Sequence, residues 1–405
     1  MEVSIILPSY NRYPLNLLSL YALENQTFDL SEMEVILIDD ASTDQTEVLK
    51  EYQAPFQFIY LKTTQNIGLA AARNLGVKMS NGKVIVFLDA EMIVDPNYIL
   101  NRYRHHLDKE NVVVIGGKRS GKLYTYLFPK YGKKQINDLA YLVKMKSAVK
   151  KRIAKSINKK VNSKKVRAII KKLKHPIQLL NQEDINNFQQ LDLFTVKKDD
   201  DLLAFLGGDL ETSPLAWWAC LGNLSMNRSF FDSLEGYEEA FRGWGPEDAE
   251  FAYRLYKAGA KFVSEPALIR YHQEHEKHKT LSEEDDRNWL LFMEKHPDLS
   301  VCIRDLSFII MKMDYTFMDN ILRESLTLKE EYDGKYEKFE HSLIMFLKEI
   351  RILKSQNKPI SHLMQSSGIE SDAMTKQLIF EERDEIESYG KYTNLVELFD
   401  LLTRI

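Results

Sequence analysis

The chain has 405 residues, 28% of them charged and 44% hydrophobic, with only 17 Gly and 11 Pro. That balance excludes a disordered or fibrous protein, and the length calls for more than one core. Two cysteines, Cys220 and Cys302, are too few for a disulfide framework or a cysteine zinc site and fit a reducing compartment.

No apolar run approaches the roughly 20 residues of a membrane span, and the opening MEVSIILPSYNR lacks the pattern of a signal peptide. A cytoplasmic protein is expected. The net charge of -4 hides a division: residues 118–182 hold 20 Lys and Arg against one acid, Asp138, so that segment carries +19 and the remainder -23. Such a segment implies an anionic partner.

In chain order, apolar runs at 3–7, 35–38, 58–61 and 84–88 alternate with helical patterns near 15–24, 43–51 and 70–79. This rhythm predicts a mostly parallel sheet covered by helices, with ligands at the carboxyl ends of the strands. Polar motifs sit at those ends. The first strand runs into PSYNR (8–12), the second into DDASTD (39–44) and the fourth into DAE (89–91).

Ser42 and Asp44 read as caps of the next helix. Asp39 and Asp40, directly after VILI, do not suit packing and read as acceptors for a base or ribose. Arg73, early in the helix of NIGLAAARN (66–74), offers a fixed cation to phosphates. Asp89 and Glu91, one residue apart at a strand end, can share a hard divalent cation. Alone, D-x-E is a weak pattern; the series of strand ends before it gives it weight.

From 139 to 180, Leu142, Val149, Ile153, Ile157 and Val161 recur at near-helical spacing among lysines. Val166, Ile169, Ile170 and Leu173 resume after Asn162-Ser163, until His175-Pro176 stops the run. Two basic amphipathic helices are expected. An anionic membrane surface, a polyanionic acceptor and the acidic tail are their three candidate partners, the membrane first. The absence of interleaved aromatics between 142 and 180 speaks against nucleic acid.

Residues 202–275 are mixed and contain Trp244-Gly245-Pro246-Glu247-Asp248. A Gly-x-Gly-Pro turn opening a helix exposes two acids at its N-terminus, where the dipole keeps a carboxylate ionised. First-turn acids are common without function. Trp244 beside them tips the reading toward a sugar site, since an aromatic face grips a sugar ring; Trp217 and Trp218 extend that platform, with one of the pair expected in the core. His272, in IRYHQEHEKH (269–278), follows an expected strand, and His275 and His278 read as solvated loop residues. Beyond 281 the chain is helical and acidic, with 25 acids and 16 bases over 280–405. Dimerisation through these helices is one open role for them.

PSYNR, IDDASTD, NIGLAAARN and FLDAE, in this order, resemble the nucleotide-sugar half of a family 2 glycosyltransferase with the GT-A fold, over about the first 117 residues. The resemblance implies that Pro8, Tyr10, Asn11, Asp39, Asp40 and Arg73 line a uridine and diphosphate site. Asp89 and Glu91 then stand where the family carries its D-x-D, with Glu91 one methylene longer than the usual Asp.

Residues 215–259 resemble the acceptor half of galactosyltransferase-like and chondroitin-polymerase-like enzymes. This implies Asp248 as the base, Glu247 as a hydrogen-bond partner of the acceptor sugar, Trp244 and Trp218 as its platform, and His272 as the third metal ligand, with His275 as its substitute. One imidazole with two carboxylates suits Mn²⁺ better than Mg²⁺.

The implied architecture is α/β: a GT-A domain with a Rossmann-like, mostly parallel sheet, split into a donor half (1–117), a basic helical insertion (118–201) and an acceptor half (202–279), then a C-terminal helical domain (280–405). The implied activity is inverting, metal-dependent transfer from a UDP-sugar to a hydroxyl of a glycan or lipid-linked acceptor. It would serve cell-surface polysaccharide synthesis at the inner face of the cell membrane. The alternative is a nucleotide-sugar-binding scaffold without turnover, against which the retained acid pair and metal set speak.

Overall fold

A computed structural model describes residues 1–117, 120–198, 200–220, 222–276 and 281–405. The chain forms two compact units, the first comprising Met1–Ala204, Cys220–Arg242 and Arg254–Lys279, the second Phe205–Ala219, Gly243–Tyr253 and Thr280–Ile405.

The first unit opens with β1 (Val3–Ser9), α1 (Leu15–Glu24), β2 (Met33–Asp39), β3 (Gln57–Lys62), α2 (Leu69–Lys78), β4 (Val84–Phe87), β5 (Met92–Val94), α3 (Tyr98–Arg104) and β6 (Val112–Ile115). Strands β1, β2 and β4 are buried throughout, as their continuous apolar runs require in a sheet covered on both faces. Later come β7 (Ser120–Leu123), β8 (Tyr126–Leu127), β9 (Ile177–Gln178), β10 (Thr195–Lys198), β11 (Ser225–Asn227), β12 (Lys261–Ser264) and β13 (Arg270–Gln273).

The seven-stranded sheet has the order β12-β6-β11-β4-β1-β2-β3. It is parallel except at β11, which runs antiparallel to both β4 and β6. A second sheet has the order β10-β7-β13-β5. The mostly parallel α/β fold expected from the strand rhythm is therefore present. Its order reverses beside β1, where α/β folds bind ligands outside the strand ends.

Four expectations need correction. The helix expected near 43–51 is a 3₁₀ turn, Gln45–Glu51, capped by Asp44, whose carboxylate accepts from Thr46 N. Ser42 does not share that cap, because its hydroxyl accepts the Asn11 N–H at 2.9 Å. His272 lies within a strand, β13, rather than after one.

The stretch expected to hold two basic helices forms three among the described residues: α4 (Lys133–Met145), α5 (Ser147–Ser156) and α6 (Val166–Lys172). Lys146 adopts an extended conformation, φ -120 and ψ 106, and breaks the first run. Its apolar stripe is not left for a partner. Leu142, Val149, Ile153, Val161, Val166 and Ile170 are buried in the same core cluster as the β1 and β2 side chains.

The second unit is helical. Its long helices are Leu281–Lys295, Tyr315–Tyr332, Glu337–Ser355, Ala373–Ser388 and Thr393–Thr403. Phe339, Leu343, Phe346, Leu347 and Ile350, spaced to share one helix face, are all fully buried. Among them Arg351 is buried and salt-bridged to Asp305 and Asp286, the latter at 2.8 Å. Both cysteines are buried free thiols. Among the described residues, no helix is long and apolar enough to cross a membrane.

Candidate active site

The expected donor residues gather at the carboxyl ends of β1, β2 and β4, where loops take over from strands. Pro8 is buried in β1, opposite Ile38 of β2. Tyr10, just past the strand, is 41% exposed.

Asn11 adopts a left-handed φ of 53°, which asparagine tolerates. Its side-chain oxygen accepts from Thr43 N at 2.8 Å and Asp44 N at 3.2 Å, tying the two loops together. Asp39 is fully buried and accepts from Ser42 N and from the Tyr60 hydroxyl. Burial and this carboxylate both push the Tyr60 phenol up, so it stays a proton donor.

Asp40 accepts from Ile67 N at 2.7 Å and Gly68 N at 2.9 Å, fixing the loop that enters α2. Gly68 has φ +88, so a side chain at this junction would be strained. Asp39 and Asp40 thus shape the rim of the site as well as offering oxygen atoms to it.

Arg73 is almost fully buried in α2, with its guanidinium 4.9 Å from the Tyr237 ring centre and 3.4 Å from Asp89. Asp89 is clamped by Asn223, which donates to its Oδ2 at 2.9 Å and accepts its N–H at 2.9 Å. The Asn223 carbonyl is in turn held by Arg102, a buried arginine stacked on Tyr98.

Glu91 belongs to a different group. Antiparallel pairing of β13 with β5 sets His272 opposite Met92, and Gln273 N donates to Glu91 O at 3.0 Å. His272 and His275 Nε2 therefore lie 3.7 and 3.3 Å from Glu91 Oε1, while Arg12 Nε contacts Oε2 at 3.1 Å. Glu91, His272 and His275 can each offer one ligand atom, all within 4.8 Å of one another.

The donor chemistry suits a divalent ion. His275 Nδ1 donates to the Glu276 carbonyl at 2.8 Å, so Nε2 is the nitrogen available as a ligand. Burial opposes charge on Glu91, but Arg12 and the two histidines outweigh it and hold the carboxyl well below its ordinary value. Burial lowers and Glu91 raises the His272 imidazole, with a net upward shift. Asp89, expected as a ligand beside Glu91, is outside this group: its oxygens face Asn223 and Arg73. His275, the substitute, is inside it.

Behind the histidines, Gln135 of α4 donates to Glu274 Oε2 and to the His275 carbonyl, both at 2.7 Å. Arg12, Asn223, Tyr237 and Gln135 were not singled out from sequence. Only Arg12 carried a signal there, as the last residue of PSYNR.

Trp244, Glu247 and Asp248 lie in the second unit. Gly243, φ +83, leaves room for Glu284, which accepts the Trp244 N–H at 2.9 Å. Asn288 donates to the Trp244 and Gly245 carbonyls. The backbone is thereby fixed while the Trp244 ring stays 54% exposed. Glu247 and Asp248 open the helix Glu247–Lys257, the first buried and the second half-buried. Trp217 is the core member of its pair, packed edge-on against Tyr253 and Phe292, and Trp218 is half-buried.

Comparison with known proteins meets this geometry. Residues 4–173 match the model of glycosyl transferase family 2, and residues 212–279 match that of the N-terminal domain of galactosyltransferase. The chain carries a family 2 glycosyltransferase domain.

This glycosyltransferase is 27% identical over 286 residues to the glycosyltransferase YfnE of Bacillus subtilis, covering 68% of this chain and 65% of that protein. It is 25% identical over 276 residues to chondroitin synthase of Escherichia coli, covering 67% of this chain and 34% of that one. The chain thus spans from about a third to just under two thirds of these relatives. A crystal structure of S. aureus TarS 1–349 in complex with UDP-GlcNAc aligns with TM-score 0.48 and 15% identity, over 88% of this chain and 93% of that one.

Proposed function

We propose that this glycosyltransferase moves a sugar from a UDP-sugar to a hydroxyl of a glycan or lipid-linked acceptor, with inversion and with a divalent ion, in polysaccharide synthesis on the cytoplasmic side of the membrane. The observation that carries the reading is the gathering of an ionised carboxylate and two imidazoles at the rim of a family 2 fold, next to the Arg73–Asp89 pair.

In this reading Tyr10, Asp39 and Asp40 form the nucleoside side of the site, and Arg73 offers charge to the diphosphate. Glu91, His272 and His275 would hold Mn²⁺ rather than Mg²⁺, since two imidazoles favour the former. A cation bound there supplies Lewis-acid charge to the departing diphosphate. Asp248 takes the proton from the acceptor hydroxyl as its oxygen bonds to the anomeric carbon and the bond to the diphosphate breaks. Trp244 and Trp218 offer ring faces to the acceptor sugar, and Glu247 hydrogen-bonds it.

A thermal-shift screen of nucleotide sugars with Mn²⁺ tests the donor assignment. The correct donor raises the melting temperature in proportion to the logarithm of its concentration, by mass action on the native state. If no uridine nucleotide shifts the transition while another nucleotide does, the uridine assignment is wrong.

Metal affinity should also depend on pH. Ligation needs neutral imidazole. The raised His272 means its proton must still be displaced somewhat above the ordinary value of about 6.5. Mn²⁺ affinity therefore falls as pH drops through that region, by about tenfold per unit for each proton displaced.

The metal-free protein shows the opposite sense. Stability from the His272–Glu91 pair is full below the ordinary imidazole value and is lost as pH rises through the raised one. Calorimetric titration with Mn²⁺ across this range reads the first effect; a pH-independent affinity would remove His272 from the ligand set.

A further inference from the structure

Between 139 and 174 the chain has fourteen Lys and Arg and no acid, and every one of those cations except Arg152 is exposed. Two acids of the insertion are already paired, Asp138 with Lys122 and Asp184 with Arg152. Among the described residues, none of the thirteen exposed cations makes an ion pair.

The apolar faces of α4, α5 and α6 are consumed by the core, so these helices cannot lie half-immersed in a bilayer. One apolar feature remains outside. Tyr141 and Met145, 55% and 57% exposed, are one turn apart on the open face of α4. Lys144 lies on that same face, and Lys146 and Lys150 follow it along the chain.

We infer that this face docks on an anionic phospholipid surface. The lysines contact headgroups, and Tyr141 and Met145 enter the boundary between headgroup and hydrocarbon. A soluble polyanion would be gripped by cations alone and has no use for two exposed apolar side chains among them, whereas an aromatic ring flanked by lysines is what that boundary favours. Anchoring by charge and two shallow side chains is reversible and salt-sensitive, because each lysine acts within a Debye length of the surface. The inference stands apart from the catalytic reading, since none of these residues belongs to the proposed site.

Co-sedimentation of the full chain with phosphatidylcholine vesicles, with and without phosphatidylglycerol, tests it. The protein should sediment with anionic vesicles at low salt, remain free with phosphatidylcholine alone, and be released at high salt. Tyr141→Ser with Met145→Ser should lower partition about tenfold, with circular dichroism and inorganic polyphosphate binding unchanged. Lys144→Gln, Lys146→Gln and Lys150→Gln together should lower it about a hundredfold. Failure to bind anionic vesicles at low salt would overturn the proposal. So would full vesicle binding by the serine pair variant, which would show that charge alone holds the protein and that Tyr141 and Met145 do not enter the boundary.

Discussion

Asp248→Asn is expected to lower glycosyl transfer by about 10²- to 10⁴-fold, the usual contribution of a positioned base. Asparagine keeps the shape of the side chain and its place in the first turn of Glu247–Lys257, so folding and donor affinity should stay close to those of the parent. What it loses is the ability to take a proton. Asp248 is the better candidate of the acid pair because it is half-buried, whereas Glu247 is 4% exposed.

The helix N-terminus favours the ionised carboxylate there, by about 0.3–1 kcal/mol at exposed sites. Glu247→Gln should act mainly on the acceptor KM. Steady-state kinetics with saturating donor separates the two, and near-parental transfer by Asp248→Asn would show that the base lies elsewhere.

The second large effect concerns the metal. Glu91→Gln removes the carboxylate that faces both imidazoles, and Mn²⁺ affinity should fall by more than the roughly 10- to 100-fold that loss of an outer partner costs. His275→Ala should do the same. Asp89→Asn should change the affinity of the nucleotide-free protein by less than about tenfold, since Asp89 sits with Asn223 and Arg73. Direct titration with Mn²⁺, read by calorimetry or by the spectrum of the bound ion, distinguishes the two sets. If Asp89→Asn loses as much affinity as Glu91→Gln, the ion is held by the D-x-E pair.

These two variants also mark where sequence reading stopped. Strands β1, β2, β3 and β4 were legible to within a few residues because their β-branched runs end at polar motifs. The position of Glu91 in the loop after β4 was legible for the same reason. The partners of Glu91 were not, because they depend on β13 returning antiparallel beside β5 from some 180 residues away. That register sets both His272 and His275 on Glu91.

Asn223 is likewise delivered to Asp89 by the segment leading into β11, the antiparallel strand inserted between β4 and β6. The basic insertion shows the converse. Its apolar period was visible, but periodicity reports only that a face is buried and does not say against what. Here the fold itself covers the stripe, and the lysines with Tyr141 and Met145 are what remain outside. The break at Lys146 had no glycine or proline to announce it.

Metal-dependent action on a nucleotide sugar is the proposed function on which the site roles rest. Release of UDP from a panel of UDP-sugars, with glycan and lipid-linked acceptors and with Mn²⁺ or a chelator, tests it most directly. One donor should yield UDP with Mn²⁺, faster with an acceptor, and both chelation and Glu91→Gln should abolish release. Release unaffected by chelation, or equally fast in Glu91→Gln, would contradict it.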